Sequence, residues 1–325
     1  MHRWITASAV CGLLLAGCGS EDDDGAGSAP VSASSATAGA AAAAYEPTSD
    51  VSANAAIGRD VAAIRALLEP EQDGVKPDFA AAAQIWSEGK FSKTSDGTNR
   101  TLADFVEKHP TAARVAHALA GNATASALTD EARVEVVDKG MVVALKVHAL
   151  EEFDGAREKL AAGELDPDEG AGHNVDEVWA YFSAGGEGVI ATAAKRAKDF
   201  RLGEHELGND VIAGIAAAQK AVAAKDAGAL DAAAERTRGA MNRIFALAVK
   251  KYAVEGAKEA TARAEGLAFT WGLVGHLEDG DLKTIQGAFG DTAAADAATT
   301  VADVLDGAAT KLGIDAPLPS YPPTS

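Results

Sequence analysis

TDEARVEVVDKGMVVALKVHALEEF, residues Thr129 to Phe153, is the stretch whose reading decides the fold. Val134, Val137, Met141 and Leu145 recur at helical spacing and draw one apolar stripe. Thr129 is a capping residue, and Asp130 and Glu131 put negative charge in the first turn, where the helix dipole favours it. From Val134 to Phe153 the segment is apolar nearly all round, which predicts a long helix enclosed by other helices. His148 and Glu152 nevertheless fall on the core-facing stripe, with Glu151 one turn from His148. Polar groups buried there need partners, because an unpaired one costs about 1–3 kcal/mol.

Moving towards the C-terminus, a loop over 163–172 leads to His173, with Asp176 and Glu177 three and four positions later. On a helix that spacing sets an imidazole beside a carboxylate. Helices are predicted over 190–200 and 207–225, then from 230 to about 259, where the stripe is Met241, Phe245, Ala248, Tyr252, Glu255 and Glu259. A further face carries Glu265, Phe269, Gly272 and His276, and a last helix spans 296–312. Towards the N-terminus, helices are expected over 50–68, from Pro77 to Gly89, around Leu102, Phe105 and Val106 with a stop at Pro110, and over 112–120 behind a Thr111 cap. No run alternates as a strand would, so the fold class is all-α, a helical bundle.

The second half of the chain echoes the first. Residues 145–151 align with 249–255, pairing His148 with Tyr252 and Glu151 with Glu255. Residues 177–181 align with 265–269, pairing Glu177 with Glu265 and Tyr181 with Phe269. Two related helical units forming one domain are therefore expected.

The ends read differently. Arg3, an apolar run over 5–15 and then Leu15-Ala16-Gly17-Cys18 predict a secretion signal ending in a lipobox, with Cys18 as the lipidated first residue of the mature chain. Residues 1–17 are assigned to that signal, 18–48 to a flexible acidic Ala/Ser/Gly tether, 49–313 to the folded domain and 314–325 to a disordered tail. The protein is thus expected outside the cytoplasm, touching a bacterial membrane only through its lipid. Cys11 lies in the signal, so no cysteine remains for a disulfide or a thiolate metal site. The signal contains one Arg and no acid, which leaves 28 basic against 48 acidic residues. Such a balance disfavours nucleic acid and favours cations as partners.

Imidazole and carboxylate without thiolate suit iron, manganese or zinc. Bundles build such sites from Glu and His three or four apart on facing helices. The candidate ligands are His148, Glu151, Glu152, His173, Asp176, Glu177, Glu255 and Glu265, with Tyr252 as a hard-oxygen ligand or a hydrogen-bond donor behind them. Blander readings stand beside these. Glu151 and Glu152 could mark where the helix surfaces, His173 could be part of a cap, and Glu255 could pair with Lys251. Nucleophile motifs, Gly-rich phosphate loops and His-Glu-x-x-His are absent, so no enzyme is expected. The alternatives are a metal-free helical interaction module and a di-iron carboxylate oxidase, although the latter would need two Glu-x-x-His units.

Residues 172–182, Gly-His-Asn-Val-Asp-Glu-Val-Trp-Ala-Tyr-Phe, together with 193–200 and 264–269, resemble the algal iron-assimilation proteins, also called low-iron-inducible periplasmic proteins, and their bacterial relatives. Gly172-His173-x-x-Asp176 is also similar to the Gly-x-His-x-x-Glu signature of imelysin-like iron-regulated lipoproteins, but with the glycine adjacent to the histidine and Asp in place of Glu. The resemblance implies extracytoplasmic binding of Fe(II) or Fe(III) in support of uptake, with His173, Asp176 and Glu265 as the positions that matter most; an iron permease is the candidate protein partner.

Overall fold

The computed structural model describes residues 45–69, 74–122, 128–290 and 296–323. The expected secretion signal, Cys18 and most of the expected tether lie outside the described residues. Within them every regular element is helical, and β pairing is limited to an isolated bridge between Lys93 and Asn99. In chain order the helices are α1 (Ser52–Ala55), α2 (Ile57–Leu68), α3 (Phe79–Glu88), a 3-10 turn (Asp104–Val106), α4 (Pro110–Ala120), α5 (Asp130–Ala162), α6 (Ala171–Ser183), α7 (Val189–Asp199), α8 (Glu206–Ala224), α9 (Ala227–Glu255), α10 (Ala260–Trp271), α11 (Asp279–Gly287) and α12 (Ala297–Ala308).

The centre is α5, packed against α4, α6, α9 and α10. Thr129 caps it, its hydroxyl accepting from the Ala132 amide at 3.3 Å, and Gly163 ends it in the left-handed region. Val137, Met141 and Leu145 are wholly buried, as the stripe requires, and each such side chain is worth about 1.5–3 kcal/mol. The second long helix, α9, buries Met241, Phe245 and Ala248 and packs on α8, α10 and α12.

In each half one aromatic contact joins the long helix to a shorter one at aligned positions. Midway along α5 the His148 ring lies 4.6 Å from that of Tyr181 on α6. Near the end of α9 the Tyr252 ring stacks 5.7 Å from that of Phe269 on α10.

Several expectations are corrected. Pro110 opens α4 instead of stopping a helix, since the first helical position needs no N–H, and His109 rather than Thr111 is the cap. The segment before it makes only the 3-10 turn, and the 50–68 helix breaks between Ala55 and Ile57. Helix α11 lacked an apolar periodicity to reveal it, since Ile285 alone of its residues is buried. The domain boundaries also move outward. Tyr45 is buried and Thr48 is hydrogen-bonded to α6, so the tether does not extend to residue 48. The stretch expected to be a disordered tail packs through Ile314, Leu318 and Tyr321, whose ring meets Phe200 at 5.2 Å.

Candidate metal centre

The C-terminal half of α5 and the first turns of α6 bring together two imidazoles, the half-buried Glu152 and the buried Glu177. On α5, His148 Nε2 is 3.3 Å from Glu152 Oε1, and Nδ1 is 3.3 Å from the more exposed Glu151. The ring is held flat on Phe105, centroids 3.8 Å apart. On α6, His173 Nε2 stands 3.6 Å from Glu177 Oε1 while Nδ1 is 2.9 Å from Ser49 Oγ. The i,i+4 spacing on each helix produces both pairs.

Asn174 joins them. Its amide donates to Glu152 at 2.6 Å and to Glu177 Oε2 at 3.3 Å. It fits because residue 155 is glycine: a Cβ there would lie 2.7 Å from the Asn174 amide nitrogen. From the far side, Asn54 donates to Glu177 Oε1 at 2.6 Å and to the Tyr181 hydroxyl at 2.8 Å. The nearest fixed cation is Arg100, 3.9 Å from Glu177 and beyond good hydrogen-bonding distance.

Burial pushes the Glu152 carboxyl up to about 8, and the charge of Glu177 and a hydrogen bond with it add to the effect. With its value near 8, the Glu152 carboxyl holds its proton at neutral pH. Burial, then Glu152 and Glu177, also raise the Tyr181 phenol, which stays neutral.

The other predicted ligands are elsewhere. Asp176 is fully buried but turned towards the N-terminal segment. It accepts from the Tyr45 hydroxyl (2.6 Å), from the amides and hydroxyls of Thr48 and Ser49 (2.8–2.9 Å) and from Gln219 (2.9 Å). Six donors saturate the roughly four lone-pair sites of a carboxylate, leaving nothing for a metal. Asp176 is the clasp that holds residues 45–49 onto α6.

Glu265 and Tyr252 belong to a second acidic group, between α5, α9 and α10. There the Lys139 ammonium lies 2.7 Å from Glu135, 2.7 Å from Asp138 and 3.4 Å from Glu265. Burial works against that ammonium, but Asp138, Glu135 and Glu265 outweigh it and hold its pKa above the ordinary lysine value. Arg65 shares Asp138 at 2.6 Å. Burial raises the Tyr252 phenol, and a hydrogen bond with Glu265 contributes further. Glu255 stands apart, paired with Lys251 and accepting from Tyr321 at 2.8 Å.

Of the nine candidates, His148, Glu151, Glu152, His173 and Glu177 come together, Glu265 and Tyr252 lie in a second group that already contains Lys139, and Asp176 and Glu255 stand outside both. Among the described residues no three His, Asp or Glu side chains are arranged as a closed metal cage. Asn54, Arg100, Asn174 and Lys139 escaped the sequence reading. Only Asn174, inside the His173–Glu177 segment, carried a signal that could have revealed it.

Fold and site together define a class: an all-α protein with a buried imidazole–carboxylate cluster at the joint between a long helix and the one that follows. The model of the family described as low iron-inducible periplasmic protein matches residues 24–262, and the chain belongs to that family. The match spans α1 to α9 and ends before Glu265. Membership carries the periplasmic location in the family's description, and no described helix is long and apolar enough to cross a membrane. Comparison with curated proteins gave no match, and neither did comparison with solved structures.

Proposed function

We propose that this protein binds iron outside the cytoplasmic membrane, to which the lipid on Cys18 anchors it, and serves iron acquisition by binding rather than catalysis. The ion enters between α5 and α6, where Glu152 and Glu177 supply oxygen and His148 and His173 supply nitrogen. One observation carries the reading: Glu152 and Glu177 share the Asn174 amide, largely shielded from solvent, and no lysine or arginine pairs closely with either. A cation that displaces the proton relieves the repulsion, so the uncompensated pair favours capture. The choice of iron over manganese or zinc follows the family description, since the donor set suits all three. Delivery to an iron permease is the step that would follow capture.

A metal-free interaction module is the second reading, and the lack of a closed cage among the described residues favours it. Equilibrium titration with Fe(II) under anaerobic conditions, and with Fe(III) supplied as citrate, separates the two. The iron reading expects saturable binding by the wild type, weakened at least about tenfold in Glu177→Gln. A wild type that binds neither ion leaves the interaction module standing. Metal-dependent oxygen consumption would instead support an oxidase.

A further inference from the structure

Beside the lysine-filled acidic group, and away from the Glu152–Glu177 pair, lies a cavity of about 220 Å³ bordered by α2, α5, α7 and α9. Thr192, Lys195 and Arg196, at i, i+3 and i+4, place a hydroxyl, an ammonium and a guanidinium on one face of α7 lining it. Arg196 is only 4 % exposed. One of its nitrogens, Nη2, pairs with Asp199 at 2.8 Å. Its Nε and Nη1 are buried and have no hydrogen-bond partner among the described residues. A guanidinium is always charged and cannot escape this by losing its proton, so two orphaned donors in a cavity wall point to an acceptor that enters from outside.

The acids around the cavity are already engaged. Asp138 and Glu187 pair with Arg65, and Lys139 holds Asp138, Glu135 and Glu265. Lys195, at the rim, makes no ion pair among the described residues. Burial and Lys139 lower its proton affinity, Asp138 partly offsets them, and Arg65 and Arg196 lower it further.

We propose that this cavity binds a small oxyanion, a phosphate, sulfate or short carboxylate, with Arg196 and Lys195 as its charged donors and Thr192 as a neutral one. Its volume admits such an ion and is too small for a nucleotide. Planar, hydrogen-bonding guanidinium and compact ammonium together form a common recognition pair for anionic oxygen.

The test is calorimetric titration of the mature wild type, Lys195→Ala and Arg196→Gln with phosphate, sulfate, oxalate and malonate, each protein first checked for cooperative thermal unfolding. Saturable binding of at least one anion by the wild type is expected, with affinity lowered about tenfold or more in each variant. Glu152→Gln should bind the anion unchanged, which separates this site from the iron reading. Should Arg196→Gln fail to fold, Lys195→Ala and Thr192→Val decide. Preference for the tetrahedral ions identifies an inorganic ligand, and preference for oxalate or malonate a carboxylate one. A wild type that binds none of the four at tens of millimolar, or binding that is indifferent to Lys195→Ala, overturns the proposal.

Discussion

Replacing Lys139 with methionine keeps most of the side-chain volume and removes only the charge. The ammonium lies among Glu135, Asp138 and Glu265 at 2.7, 2.7 and 3.4 Å, with its side chain 14 % exposed. Its loss leaves three acids with Arg65 as the remaining partner of Asp138. Breaking a buried pair by deleting one member costs about 3–5 kcal/mol, since the surviving charge stays desolvated. Lys139→Met is therefore expected to lose about 3 kcal/mol or more at pH 7, read from urea denaturation midpoints at constant m-value. The penalty has a pH signature. Burial already raises Glu135, with the charge of Glu265 adding to it, and loss of the ammonium raises the acids further. A carboxyl whose folded pKa exceeds its unfolded one binds more protons in the native state, so stability rises as pH falls. The deficit should shrink markedly between pH 7 and pH 5. A loss under about 1 kcal/mol at pH 7, or a deficit that does not change with pH, would refute the view of Lys139 as the resident cation of this group.

Other outcomes follow from the same geometry. The Glu152 carboxyl, at about 8 against an ordinary 4.5, makes wild-type stability fall as pH rises through that window, by about 3 kcal/mol from pH 5 to pH 8; Glu152→Gln should flatten the profile in parallel thermal melts. Asp176→Ala removes the acceptor for Tyr45, Thr48, Ser49 and Gln219, so hydrogen exchange over residues 45–49 should accelerate and about 2–4 kcal/mol of stability should be lost. At Gly58 a Cβ would overlap the Ala184 carbonyl, and Gly58→Ala should cost about 1–3 kcal/mol, measurable by chemical denaturation.

Much of this molecule was legible in its sequence, for identifiable reasons. Helix α5 declares itself through a cap, an acidic first turn and a stripe with no polar interruption before His148, all local signals. The pairs His148–Glu152 and His173–Glu177 follow from helical spacing, and the correspondence of His148 with Tyr252 is visible because the halves share a pattern. What could not be read is the set of contacts between residues far apart in the chain. Asp176 and Glu177 are neighbours, yet one meets Tyr45 and the other Asn54, partners more than a hundred positions away. Nothing in the sequence near α6 announces either. Glu265 looked like a ligand because it aligns with Glu177, but Lys139, contributed by a different helix, has taken the place of an ion there. An acidic residue on a core stripe shows that a cation is needed without showing whether the chain supplies it.

Capture of an external cation at this site is expected to displace the proton held on Glu152. Proton release on binding measures it most directly: weakly buffered protein near pH 7 is titrated anaerobically with Fe(II) while the released acid is recorded. Saturable binding with about one proton released per ion is expected, and no release from Glu152→Gln. Iron that binds without releasing a proton, or releases it equally from Glu152→Gln, would contradict it.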